Sequence, residues 1–128
     1  MVISTIEKLN LIPSGTPLRL YCDQYDIAMM GTSTGRYISI QLQKNGVNYI
    51  PPSGATATVE GTKPDGTTFT HNAVATYLTS AGLIYVMLYS DMTNVAGDVK
   101  MQVVLHEGNN RTASQMIILT VQRSAYTP

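Results

Sequence analysis

Charge is scarce in this chain. Only 12% of its 128 residues are Asp, Glu, Lys or Arg, about half the ~25% of an ordinary soluble domain. Eight basic residues cancel eight acidic ones, and they are scattered along the sequence. A duplex nucleic-acid binder or a polybasic membrane-surface protein needs a concentrated positive field, so both classes are excluded. Cysteine is almost absent: Cys22 stands alone, which rules out an intrachain disulfide and a stapled mini-domain. Tryptophan is missing and phenylalanine occurs once, against eight tyrosines. No apolar run approaches the ~18 residues that span a bilayer as a helix. The opening Met1 to Lys8 turns polar too soon for a secretion signal, so synthesis and assembly in a cytoplasm are expected.

What the chain does have is regular turn punctuation. Pro13-Ser14-Gly15, Gly31 to Gly35, Asn45-Gly46, Pro51 to Gly54, Pro64-Asp65-Gly66, Ala81-Gly82, Ala96-Gly97-Asp98 and Gly108-Asn109-Asn110 separate short runs rich in Val, Ile, Thr and Tyr. Such spacing reads as an all-β sandwich or barrel. The runs alternate with period two. Ile38, Ile40 and Leu42 oppose Tyr37, Ser39, Gln41 and Gln43. Val99, Met101, Val103 and Leu105 oppose Lys100, Gln102 and His106. Ile117, Leu119 and Val121 oppose Ile118, Thr120 and Gln122, and Leu18, Leu20 and Cys22 oppose Arg19, Tyr21 and Asp23.

Asn45-Gly46 predicts a tight hairpin whose two central residues take positive φ. Pro64-Asp65-Gly66 predicts a second, joining 55–63 to 67–71. Residues 90–97 suit one helical turn near 91–95, capped by Ser90 or Asp91 and ended by Gly97. The expectation is an antiparallel two-sheet β-sandwich, immunoglobulin-like, of about eight strands. Residues 1–16 would be an N-terminal arm or an edge strand, 17–124 the single sandwich domain, and 125–128 a tail.

Leu83 to Tyr89 is apolar on both faces. One reading is a central strand with its second face covered by a loop or by the arm. The other is a subunit contact carried by Tyr85, Met87 and Tyr89, or by the opposite face of the run, with Tyr37 as a further candidate interface residue. Solvating such a face would forfeit about 1.5–3 kcal/mol for each large side chain left out of a core.

Reactive groups are few. His71 and His106 have no second ligand at metal-binding spacing, and both are expected on solvated strand faces. Asp65 and Asp98 are assigned to turns and Asp91 to a cap. Asp23 and Asp26 share a loop that lacks the alternating oxygens of a calcium site. Neither a phosphate-binding glycine loop nor a nucleophile elbow is read from the chain. No metal, cofactor or catalytic residue is expected, and a binding or assembly domain is favoured over an enzyme.

From Gly35 to Arg123 the ordered turns and strands resemble the N-terminal domain of the upper baseplate protein family of tailed phages that infect Gram-positive bacteria. The resemblance is carried by Ile38-x-Ile40-x-Leu42-x-Lys44-Asn45-Gly46, then Ala57-x-Val59-x-Gly61-x-Lys63-Pro64-Asp65-Gly66-Thr67. Ser80-Ala81-Gly82-Leu83-Ile84-Tyr85-x-Met87-Leu88 follows, then the 91–95 segment, Gly97, the 99–105 strand, Gly108, and Thr112-Ala113-Ser114-x-Met116-Ile117-Ile118-x-x-Val121. Larger members of that family continue into a helical, fibre-carrying part, whereas this sequence stops at Pro128.

The resemblance implies a non-enzymatic virion structural protein of the tail or baseplate, assembled in the bacterial host cytoplasm. It would dock on the distal tail protein, on its own copies as a homo-oligomer, and beside receptor-binding protein, with no nucleic-acid or membrane partner. The alternative from the residues themselves is a carbohydrate-binding sandwich that stacks sugars on Tyr21, Tyr25, Tyr37 or Tyr49.

Overall fold

A computed structural model describes residues 6–12, 16–23 and 37–122. Residues 1–5, 13–15, 24–36 (Tyr25 and Asp26 among them) and 123–128 lie outside the described residues. Among those described, two sheets form a β-sandwich. The smaller holds β1 (Ile6–Asn10), β3 (Tyr37–Lys44), β4 (Val47–Asn48) and β7 (Leu83–Met87). The larger runs β2 (Leu18–Asp23), β10 (Ile117–Gln122), β8 (Gly97–Glu107), β5 (Thr56–Thr62) and β6 (Thr68–Asn72), with β9 (Asn110–Ala113) also on β8. Among the described residues there are ten strands where about eight were expected, β4 being only two residues long. Two single helical turns, α1 (Leu78–Ala81) and α2 (Ser90–Thr93), flank β7.

Period-two alternation builds the core. Ile40, Leu42 and Ile84 of the smaller sheet are wholly buried, as are Val99, Val103, Leu105 and Ile117 of the larger, and all belong to one cluster. Each contributes about 1.5–3 kcal/mol by leaving water. Leu78 of α1 and Met92 of α2 join this cluster with no exposed surface.

Both predicted hairpins form. Asn45 (φ 53°) and Gly46 (φ 78°) are left-handed, as a tight hairpin turn requires. At the second, Asp65 Oδ1 accepts from the Thr67 N–H at 3.0 Å and from Thr67 Oγ1 at 2.6 Å, and Gly66 takes φ 88°. These bonds hold the Asp65 carboxyl below the ordinary aspartate range, Thr67 being the main cause.

Six of the eight strand pairings are antiparallel. The two exceptions correct the sequence expectation: β1 runs parallel to β3 with Leu9 beside Leu42, and β2 runs parallel to β10 with Leu18 beside Ile117. The N-terminal stretch thus supplies one edge strand to each sheet. Leu9 has no exposed surface and packs in the core, so residues 6–10 are part of the sandwich.

The turn at 90–93 is present, but its capping differs from expectation. Tyr89 occupies the N-cap without a side-chain cap bond, and Asn94 is the C-cap. The Asp91 carboxylate instead meets His71, 2.9 Å from Nε2. Gly97 opens β8 at φ 124°, where a Cβ would come within 2.8 Å of Pro64 Cγ. Asp98 lies in β8, not in a turn, and accepts from Thr120 Oγ1 at 2.8 Å.

Candidate docking surface

The outer face of the smaller sheet gathers most of the residues that the sequence marks as a contact. Cross-strand register sets Tyr37 opposite Met87 and Ser39 opposite Tyr85. Among the described residues the sheet is extended beyond β7 only by a bridge between Val74 and Tyr85, closed by bonds of 2.8 and 3.1 Å. Strand β7 therefore has one full neighbour, β3, and is not the central strand of the first reading. On the other side of β3, Ile6 sits beside Ser39. One row thus runs Ile6, Ser39, Tyr85, Val74 across the outer face.

Tyr85 is the hub of an aromatic cluster. The Tyr37 ring meets it edge-on at 5.5 Å between centroids and 81° between planes, and the Tyr77 ring at 6.3 Å and 88°. Edge-to-face pairs at these separations contribute about 0.5–1.5 kcal/mol beyond area burial, which holds the rings in place before any partner arrives. Tyr37, Val74, Tyr85 and Met87 line a hollow of about 240 Å³. At its margin Tyr77 is 49% exposed and Ile6 53%. The hydroxyls of Tyr37, Tyr77 and Tyr85 bond to no side chain or backbone group among the described residues.

The chain positions this cluster through Gln41, which is buried on the same outer face of β3. Its Nε2 donates to the carbonyls of Ala81 (3.1 Å), Leu42 (3.2 Å) and Gly82 (3.3 Å). Those bonds tie the α1–β7 corner onto the sheet and set Tyr77 above Tyr85. Gly82 permits the approach: at φ 70° its missing Cβ would overlap the Tyr49 carbonyl oxygen.

Of the four predicted contact residues, Tyr37, Tyr85 and Met87 come together and Tyr89 does not. The strand ends at Met87, and the chain bends into α2. Tyr89 instead stacks on His71 at 4.3 Å and 29°. His71 is not on the solvated face as expected. It pairs with Val59 on the core side of β6, at the sheet edge, and its side chain is 25% exposed. His106 does lie on the outer face of β8, 3.2 Å from Thr58 Oγ1. Val74, Tyr77 and Ile6 were missed by the sequence reading: the 73–80 stretch has no usable period, and Ile6 falls in the ambiguous arm.

The tyrosines proposed for sugar stacking are not gathered. Tyr21 is 66% exposed on β2, Tyr37 is in the hollow, and Tyr25 lies outside the described residues. Tyr49 donates to Glu107 Oε2 and carries Lys44 Nζ over its ring at 4.0 Å. The bond to Glu107, then burial, then the carboxylate's charge push the Tyr49 phenol above its ordinary range.

Among the described residues no three His, Cys, Asp or Glu side chains group to hold a metal ion, and no helix is long and apolar enough to cross a membrane. The sequence reading passed over one match: Gly31-Thr32-Ser33-Thr34-Gly35 has the Gly-x-Ser-x-Gly spacing. A nucleophile elbow joins a strand to a helix at the top of an α/β sheet, whereas the described fold is all-β; the pentapeptide itself lies outside the described residues. No protein-family model matches the chain, and comparison with curated proteins returns no match.

Proposed function

We propose that this domain is a non-enzymatic assembly module of a tailed-phage baseplate or tail, docking through the outer face of its smaller sheet on its own copies and on the distal tail ring. The observation that carries this reading is the Tyr85 cluster. Tyr37 and Tyr85, with Val74 and Met87, line a hollow that has no charged lining residue among the described residues, and Tyr77 meets Tyr85 edge-on at its margin. Tyrosine and methionine are enriched at protein interfaces, where rigid rings give contact area at small entropic cost. A chain with few charges also loses little solvation when such a face is covered.

The ordered turn series supports the baseplate assignment. Three of the turns that carry the family resemblance, Asn45-Gly46, Pro64-Asp65-Gly66 and Ala81-Gly82, each have a positive-φ glycine in the structure. Chromatography with light scattering tests the proposal, with the domain alone and mixed with a distal tail protein. Self-association of the domain alone and binding in the mixture are the expected results. A domain that stays monomeric at high concentration, or leaves the tail protein unbound, would overturn the corresponding half of the proposal.

A further inference from the structure

The opposite side of the sandwich has a feature that the docking proposal does not use. On the outer face of the larger sheet a hollow of about 550 Å³ crosses β6, β5 and β8 and reaches Met116, just before β10. Register explains its shape. One wall is the row Thr70, Glu60, Gln102, and the other is the row Thr68, Thr62, Lys100. Between them lie Phe69, Gly61 and Met101; Phe69 and Met101 turn their side chains to the core. That leaves a backbone floor between two polar rows. Three inter-strand spacings of about 4.8 Å make the trough about 14 Å long, and its volume falls within the ~300–1,000 Å³ of small-molecule sites.

The walls define the chemistry. Thr62, Thr68 and Thr70 hydroxyls and Lys100 Nζ have no hydrogen-bond partner among the described residues. Gln102 gives one amide N–H to the Ser114 carbonyl at 2.8 Å, leaving its oxygen to accept and its second N–H to donate. Glu60 Oε1 receives Arg111 at 2.8 Å, leaving Oε2 to accept. The trough therefore offers hydroxyls that both donate and accept, two acceptors, one amide donor and one cation. Arg111 already neutralises Glu60, so among the described residues Lys100 is the trough's one unpaired charge, too little positive field to hold an anionic polymer. A peptide strand would find the floor's backbone groups already used in the sheet ladder. A neutral chain bearing many hydroxyls matches every group. Tyr21 lies on this same side but outside the trough's lining, in the row of Thr120 and Asp98 at the β2 edge, where it is 66% exposed.

We propose that this trough is a binding site for a neutral oligosaccharide chain, separate from the docking surface. The experiment is an amide-resolved NMR titration of the whole chain with cellohexaose, maltohexaose and the hexamer of N-acetylglucosamine at millimolar concentration, with heparin as the anionic control. The expected result is shifts from at least one neutral hexamer, centred on residues 60–62, 68–70 and 100–102. Lys100→Met and Thr62→Val should each weaken that binding about fivefold, the effect of losing one hydrogen bond, with unchanged thermal midpoints.

Tyr77→Ala, on the opposite sheet, should leave it unchanged. No shift with any of the three hexamers, shifts confined to other surfaces, or a response to heparin alone would each overturn the proposal. Because the two sites lie on opposite faces, self-association in the same samples reports on the docking reading independently.

Discussion

Replacing Gly82 with alanine should be far more damaging than the same change at Gly46, although both glycines are left-handed at nearly equal φ, 70° and 78°. An alanine in that region costs roughly 1–2 kcal/mol by the clash of its Cβ with its own backbone. The unfolded chain loses the same freedom at either site, so that term cancels in the comparison. What differs is space. Around Gly46 no atom lies within 4 Å of an added Cβ, whereas at Gly82 the Cβ would overlap the Tyr49 carbonyl oxygen and stand 2.9 Å from Gln41 Nε2.

The Tyr49 carbonyl cannot retreat freely, because the same residue's N–H is bonded to Leu42 O at 2.9 Å. Forced overpacking of this kind costs about 1–3 kcal/mol. Gly46→Ala should therefore lose about 1–2 kcal/mol, and Gly82→Ala about 2–5 kcal/mol. Urea unfolding followed by circular dichroism measures both, with the slope of each transition checking that the unfolded state is unchanged. Equal losses at the two sites would refute the claim that the α1–β7 corner is packed against Tyr49 and Gln41.

Two further outcomes follow from the packing and the electrostatics. Leu9→Ala should cost about 2–4 kcal/mol in the same assay, because it empties a fully buried core position on β1; a cost near zero would mean that the N-terminal strand is a detachable arm. The Tyr49 phenol should ionise above its ordinary value of 10, and Glu107→Gln should bring it down. The folded-state value is the raised one, so the stability this group contributes is complete below pH 10 and is lost as pH rises through the folded value. Phenolate absorbance against pH checks this, and an unchanged midpoint in the variant would contradict the Glu107 assignment.

Much of the fold was legible because the signals are local. Asn45-Gly46 and Pro64-Asp65-Gly66 carry their conformations in two or three residues, and alternation in 38–42, 99–105 and 117–121 assigns side chains to the core face or the outer face without knowledge of the partner strands, although outer-face Ser39, Gln41, Val104 and Ile118 are buried as well. The parallel pairings were not legible. Leu9 meets Leu42 and Leu18 meets Ile117, and no turn between them records the choice of a distant partner. Helix α1, four residues long, is too short to show a period.

The docking cluster was legible where it lies on strands, at Tyr37, Tyr85 and Met87. It was invisible at Val74 and Tyr77, which reach the surface through the α1 corner. Tyr89 was misplaced because alternation was extended past Met87, where the strand stops. His71 was misplaced for a related reason: at an edge strand the core face opens sideways, and Tyr89 and Asp91 fill the opening.

Sedimentation equilibrium of the wild-type chain and of Tyr85→Arg, over a wide concentration range, tests the docking surface most directly. The account predicts that the wild type self-associates and that the variant, still folded, does so at least about thirtyfold more weakly, the loss of one central hot-spot residue. Equal association constants for the two proteins would contradict it, as would a wild type that stays monomeric throughout.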